Sequence, residues 1–317
     1  MKTIRLTHPH QLRVNELSPI VMALGYFDGV HKGHQKVIRT AKKIANELML
    51  NSAVMTFDPH PSVVLREDVT KMEYITPLKV KEKLIEQLGI DYLFVVEFTK
   101  PFAALLPQQF VDEYIIGLNV QHVVAGFDFT YGKLGKGTME TLPFHSREKF
   151  TQTVVEKQTD HDRKISSTLI RNVLRSGDVQ YAKHLLGRPH ETTGTVIHGE
   201  KRGRTIGFPT ANVEVPEDVF IPPSGVYAVT VEIDGQKGAY SGVCNIGYKP
   251  TFHHKKPERP SVEVHIFQFE REIYGKEITL KWHKRIRSEQ KFANVEQLIQ
   301  QIQQDKKEAE RFFLEFI

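Results

Sequence analysis

Cysteine is nearly absent: Cys244 is the only one in 317 residues, so an intrachain disulfide and a cysteine-rich metal site are both excluded. Set among apolar neighbours in SGVCNIGY, it reads as a small buried residue. Long apolar runs are missing too. No segment approaches the roughly 18 uninterrupted apolar residues of a membrane span, and the opening MKTIRLTHPHQLRV has no apolar core of a signal peptide. The expectation is a soluble, cytoplasmic chain with no membrane partner. Blocks of one charge are also absent. Net charge is +5, yet residues 187–317 hold 19 Lys and Arg against 18 Asp and Glu, so nothing resembles a nucleic-acid-binding arm. Small anions are the expected partners, nucleic acid is not, and no segment points to a protein partner.

What is present is an ordinary globular balance, 40% hydrophobic and 26% charged, over a length beyond which one core usually stops growing. Two domains are therefore expected. From Pro19 to about Ser176, the apolar runs IVMAL, SAVMTF, YLFVVEF and HVVAG alternate with helix-like stretches such as GHQKVIRTAKKIANELML, PLKVKEKLIEQL and PQQFVDEYIIGL. That alternation predicts βαβ units and a parallel, Rossmann-like sheet, with ligands beyond the carboxyl ends of its strands. Two short helical pieces, SSTLIRNVLRSG and VQYAKHLLG, end at Gly187. The texture then changes to ETTGTVIHG, GVYAVTVEI, AYSGVCNIGY, SVEVHIFQF and KEITLKWHKRI, separated by PPSG, DG and YG. Closely spaced strands of this kind predict a small antiparallel β-barrel, followed by an amphipathic helix from Val295 to about Phe313. The expected domains are 1–186 and 187–317.

The run GYFDGVHKGH, Gly25 to His34, follows the first apolar strand and opens the first long helix. Free backbone N–H groups and the positive helix end favour anions there. Gly25, Gly29 and Gly33 let the backbone approach a ligand around Phe27. His31 and His34, three apart, can face one side of the first turn and stabilise charge on phosphate oxygens, an electrostatic role and not a nucleophilic one. A single loop histidine would read as a solvated residue; the whole constellation reads as a phosphate site. It resembles the HxGH motif of the nucleotidyltransferase superfamily and, with the preceding GxFDG, the FMN adenylyltransferase module of bacterial FAD synthetases.

Three further stretches fall where that resemblance expects them. TFDPHP places His60 after the second strand, as a flavin contact or a turn residue. GFDFTYGKLGKG carries Asp128, at a position where relatives can have Asn, as a flavin contact or a turn cap. ISSTLIR, Ile165 to Arg171, offers the hydroxyls of Ser166, Ser167 and Thr168 to phosphate, although a serine here can simply cap the helix. Arg171 in the same run can clamp a triphosphate as a planar fork.

In the second half, GTVIHGEKRGRTIGFPTANV combines a strand, a loop rich in glycine and arginine, and PTAN. Gly199, Gly203 and Gly207 would let the loop fold over phosphates beside Arg202, and the spacing is not that of a Walker motif. Thr210 and Asn212, two residues apart, put hard neutral oxygens on one side of a strand, which suits Mg²⁺ shared with ATP. This run resembles the riboflavin kinase motif. Glu263 in SVEVHIF points away from the core-facing Val262 and Val264, into the barrel mouth, and matches the position of the catalytic Glu of that family. RIRSEQKF, by the same resemblance, forms a flavin-binding edge, with Phe292 over the isoalloxazine ring and Arg287 approaching phosphate; core packing is the other reading of Phe292.

Two motif sets in order, from Met22 to about Phe313, resemble the bifunctional riboflavin kinase/FAD synthetases of bacteria. The resemblance implies that riboflavin and ATP give FMN at the barrel, that FMN and ATP give FAD at the sheet, and that both steps use Mg²⁺. Two other readings stay open at this stage. One is an adenylyltransferase for a different acceptor whose barrel is only a sensor; the other is a flavin-responsive nucleic-acid regulator, which predicts steeply salt-dependent binding.

Overall fold

A computed structural model of the chain describes residues 1–12, 14–66, 72–199, 203, 206–248 and 259–316. The chain divides into two compact units, Met1–Ser167 and Thr168–Ile317.

In the first unit the strands are β1 (Lys2–Leu6), β2 (Ile20–Leu24), β3 (Asn51–Asp58), β4 (Tyr92–Glu97), β5 (Val120–Gly126), the small hairpin β6 (Thr130–Tyr131) and β7 (Gly137–Thr138), β8 (Thr151–Val155), and the hairpin β9 (Thr159–Asp160) and β10 (Arg163–Lys164). Between them run α1 (Lys32–Glu47), α2 (Pro61–Leu65), α3 (Leu78–Gln87), α4 (Lys100–Ala103), α5 (Pro107–Phe110) and α6 (Leu142–Ser146). One sheet in the order β1-β4-β3-β2-β5-β8 has every neighbour parallel. β2 is buried on both faces, which is why IVMAL is an unbroken apolar run. Its residues alternate between two core layers. Met22 and Leu24 meet Met55, Phe94 and Tyr114 on one face; Val21 and Ala23 meet Val54, Ile38 and Ile85 on the other.

The chain steps from β2 to β3 to β4 on one side and then returns to place β5 on the other side of β2. The gap at the carboxyl ends of β2 and β5 is therefore a topological switch point, where a sheet of this kind opens a crevice. The expected parallel sheet is present. Its two edge strands, β1 and β8, escape the sequence pattern because their exposed sides interrupt the apolar run (KTIRL, TQTVV).

The second unit contains α7, which starts at the unit border (Ser167–Ser176), α8 (Val179–Leu186), six strands and α9 (Val295–Phe316). The strands are β11 (His190–Ile197), β12 (Ala211–Glu214), β13 (Gly225–Ile233), β14 (Ala239–Gly247), β15 (Ser261–Ile266) and β16 (Glu277–Arg287). They close an antiparallel barrel in the order β11-β12-β15-β14-β13-β16, with β11 also pairing β16. Strand alternation sends Tyr227, Val229, Cys244, Ile246, Val264 and Trp282 to the buried interior. Cys244 is buried as expected, and burial pushes its thiol well above the ordinary range. On the opposite face Val226, Ala228 and Val243 pack under Ala309 and Phe312 of α9.

Trp282, the sole tryptophan, donates its indole N–H to Thr192 Oγ1 at 2.8 Å in the closed core. Thr192→Val keeps the volume and removes the acceptor, so it should destabilise the barrel by about 1–3 kcal/mol. Urea unfolding followed by tryptophan emission, which reports this unit alone, checks the value.

Candidate functional site

The loop from Gly25 to His31 leaves the carboxyl end of β2 at the switch point and hands the chain to α1. His31 is the N-cap of α1, and its Nδ1 accepts the N–H of His34 at 3.2 Å. With Nδ1 an acceptor, the neutral ring carries its hydrogen on Nε2. The two imidazoles stack, centroids 3.6 Å apart and planes within 19°. Gly33 permits this: a Cβ there would lie 3.1 Å from the His31 ring. Gly25 does the same for Phe27, whose ring would meet a Cβ at 2.7 Å and which stands edge-on to His34 at 5.3 Å. Phe27 itself is buried.

Phe27 and Val30 have φ of 57° and 38°, with Gly29 between them at 88°, and a non-glycine residue persists in that region only when its surroundings over-determine it. Asp28 supplies part of that constraint. Its buried carboxylate accepts from Thr76 N–H at 2.9 Å, Thr76 Oγ1 at 3.2 Å and Ile75 N–H at 3.3 Å, while Gly29 N–H donates to Thr76 Oγ1 at 2.7 Å. What remains is a set of donors. Among the described residues, the N–H groups of Phe27, Lys32 and Gly33 have no acceptor, and those of Lys32 and Gly33 sit at the positive end of a 16-residue helix.

Burial, with His31, Lys81 and Lys164 nearby, holds the His34 pKa well below the ordinary histidine value, and its buried Nδ1 has no hydrogen-bond partner. A neutral imidazole with an unused polar atom beside free N–H groups is a place for an anion's oxygens.

His60, Asp128, Ser166 and Ser167, also picked from the sequence, belong to the same unit as this loop. His60 follows β3, caps α2 by accepting Ser62 N–H at 3.1 Å, and meets the Tyr26 ring edge-on at 4.3 Å. Asp128 follows β5 and is ion-paired to Lys164, whose ammonium lies 4.7 Å from the centre of the exposed Phe127 ring. Ser167 donates to the Asp28 carbonyl at 2.8 Å, and Ser166, half-buried, precedes it. Thr168 and Arg171 belong to the second unit, three residues apart on α7, one exposed and the other half-buried. Sequence reasoning missed Thr76, Lys81 and Lys164. For Lys81 a signal existed: it falls on the stripe of α3 that carries Leu78 and Ile85, where a lysine has no apolar reason to be.

On the barrel, strand pairing sets Asn212 opposite Glu263 and Glu263 opposite Asn245. Directly opposed residues share a face, so the three make a row across β12, β15 and β14. Cys244, Val262 and Val264 occupy the interior, so Glu263 lies on the opposite face of its strand. Asn245 was not recognised from sequence. Gly199 stands against Asn212, where a Cβ would come within 2.1 Å of the amide. Gly203 takes the Phe208 N–H on its carbonyl at 2.8 Å and approaches Thr210, while Gly207 adopts φ 84° in open space. Thr210 is exposed, just before β12. Arg202 lies outside the described residues.

At the far end of β16, Arg287 grips the buried Asp305 of α9 through Nε at 2.9 Å and Nη2 at 2.8 Å, and sits 5.7 Å from the centre of the half-buried Phe292 ring. The guanidinium that was expected near phosphate is thus occupied by a carboxylate. The described residues hold no cluster of three or more His, Cys, Asp and Glu suited to a metal. Neutral Thr and Asn oxygens beside one carboxylate fit a hard cation that draws its other ligands from phosphate and water.

A family model described as FAD synthetase matches residues 14–169, and one described as riboflavin kinase matches residues 186–313. The chain is 59% identical to the bifunctional riboflavin kinase/FMN adenylyltransferase of Bacillus subtilis, over 99% of this chain and 98% of that one. It is 50% identical to the protein of the same name from Listeria monocytogenes, again over 99% and 98%. Among solved structures it is similar to one described as a macrolide-efflux protein from Streptococcus pneumoniae, with TM-score 0.86 and 36% identity over 96% of this chain and 97% of that one. Among the described residues of the present chain, no helix is long and apolar enough to cross a membrane.

Asp28→Ala should loosen the loop from Ile75 and Thr76 and strand three donors, at a cost of about 3 kcal/mol. Thermal unfolding of this variant, read by circular dichroism, checks it.

Proposed function

Because the chain belongs to the family of bifunctional riboflavin kinase/FMN adenylyltransferases, phosphorylating riboflavin to FMN and adenylylating FMN to FAD with ATP, we propose how its residues divide that work. Residues 1–186 carry adenylyl transfer and residues 187–317 the kinase, in line with family matches that end at 169 and begin at 186.

In the first step of the division, the ATP phosphates rest on the free N–H groups of Phe27, Lys32 and Gly33, with Gly25 and Gly29 shaping the loop beneath them. A phosphate oxygen of FMN attacks the α-phosphorus, and the bond to the β-bridging oxygen breaks to release pyrophosphate. The attacking phosphate is already ionised, so no base is required. The need is for donors where charge accumulates, which the His31 Nε2–H and the neutral His34 ring supply. Ser166, Ser167 and Thr168 bind phosphate oxygens and Arg171 clamps the triphosphate. His60 and Asp128 face the flavin side of the same edge.

In the kinase, Glu263 accepts the proton of the riboflavin 5′-hydroxyl as the γ-phosphoryl arrives, with Asn245 beside it on the neighbouring strand. Gly199, Gly203, Gly207 and Arg202 cover the ATP phosphates. Thr210 and Asn212 would hold Mg²⁺, and a cation there would supply positive charge against the phosphate oxygens. Phe292 covers the isoalloxazine ring, and Arg287 serves that edge by supporting Phe292 while Asp305 holds it. Mg²⁺ accompanies ATP at both sites. We place the reactions in the cytoplasm, where ATP and Mg²⁺ are supplied, with riboflavin, FMN and ATP as partners and neither nucleic acid nor membrane required.

The observation that supports this reading most is the stacked His31–His34 pair over the open end of α1 at the switch point. Purified protein given riboflavin, ATP and Mg²⁺ should form FMN and then FAD, separated by chromatography. A double variant, His31→Ala with His34→Ala, should accumulate FMN while FAD formation falls about 10³-fold. Glu263→Ala should lower FMN formation about 10²-fold or more yet still convert supplied FMN to FAD. Equal loss of both activities in both folded variants would refute the division.

A further inference from the structure

Lys81 is only 3% exposed, on the core-facing stripe of α3. Burial pushes its pKa down to about 8, against the pull of Asp28 and Asp58. Such a position is costly for an ammonium, and its contacts show what the charge is used for. Nζ donates to the Tyr26 carbonyl at 2.9 Å and to Thr56 Oγ1 at 3.3 Å, and lies 4.3 Å from the centre of the Tyr26 ring. Thr56, on β3, donates to the same carbonyl at 2.7 Å. Two donors from two elements therefore fix one peptide group inside the loop that runs to His31.

The carbonyl and N–H of a trans peptide point in opposite directions. Drawing the Tyr26 oxygen inward turns the Phe27 N–H outward, and that N–H has no acceptor among the described residues. The same pull helps to hold Phe27 at its positive φ of 57°.

We propose that Lys81 is a positioning residue for adenylyl transfer: together with Thr56 it holds the Tyr26 carbonyl inward, so that the Phe27 N–H stays aimed at the ATP phosphates. This rests on the reading of the Gly25–His34 loop as the ATP site. Lys81 itself touches neither ATP nor flavin. It acts through one peptide plane, so its loss should lower turnover and leave flavin affinity alone.

The test uses the full chain and measures kcat and KM for FAD synthesis beside the rate of riboflavin phosphorylation. Lys81→Met keeps the stem and removes the charge; kcat for FAD synthesis should fall about 10- to 100-fold, with KM for FMN within about twofold and the kinase rate unchanged. Thr56→Val should lower the same kcat about fivefold and Thr56→Ser should recover most of that loss. Because both residues act on one carbonyl, the double variant Lys81→Met, Thr56→Val should lose less than the product of the single losses. In the wild type, kcat/KM for ATP should fall as pH rises through about 8, where the Lys81 ammonium, set among Tyr26, Asp28, Asp58 and His34, gives up its proton. A Lys81→Met enzyme that keeps half or more of the wild-type kcat overturns the proposal, as does loss expressed only in KM for FMN. Should Lys81→Met not fold, Thr56→Val decides: a wild-type rate overturns the proposal, and a slow rate recovered by serine upholds it. Unimpaired FAD synthesis in the His31→Ala, His34→Ala protein would instead reject the reading of the loop, a result separate from any of these.

Discussion

One hydrogen bond, from the backbone N–H of His34 to Nδ1 of His31, underlies the first site. It caps α1 with a residue of the site itself, so the imidazole cannot leave without fraying the helix. It commits Nδ1 as an acceptor and leaves Nε2 as the donor. It also brings the two rings into a stack at 3.6 Å, possible because Gly33 has no side chain to push them apart. The neutrality of His34 follows first from its burial, reinforced by His31, Lys81 and Lys164 nearby.

The two units meet a common chemical demand, the placement of nucleoside triphosphate oxygens, by different physical means. The parallel sheet offers a switch point and a helix end, so its site is built from backbone N–H groups, neutral imidazoles and a strained loop pinned from below by Asp28 and Lys81. The closed barrel has no sheet edge to use. It builds instead with a strand face, where pairing alone aligns Asn212, Glu263 and Asn245 across three strands. Removal of side chain is the shared device: Gly33 beside His31 and Gly199 beside Asn212 each leave room for a functional group.

Contiguous features were legible in the sequence because their contacts are local. GYFDGVHKGH sits where an apolar strand passes into an amphipathic helix, PTAN introduces a strand, and the apolar alternation separates a parallel sheet from a barrel. Features made by tertiary pairing were not. Asn245 gains meaning only from the register that sets it opposite Glu263, and Thr76 only from the fold that lays it on Asp28. β1 and β8 are hidden by their exposed faces. Arg287 likewise gains its partner only from tertiary pairing, the Asp305 carboxylate of α9.

The most direct test of this account is nitrogen-15 NMR of the two imidazoles in the unliganded protein across pH. His31 should appear as the tautomer with hydrogen on Nε2, and His34 should remain neutral well below the ordinary histidine midpoint of about 6.5. A His31 ring protonated on Nδ1, or a His34 that titrates near 6.5 like a solvated histidine, would contradict it.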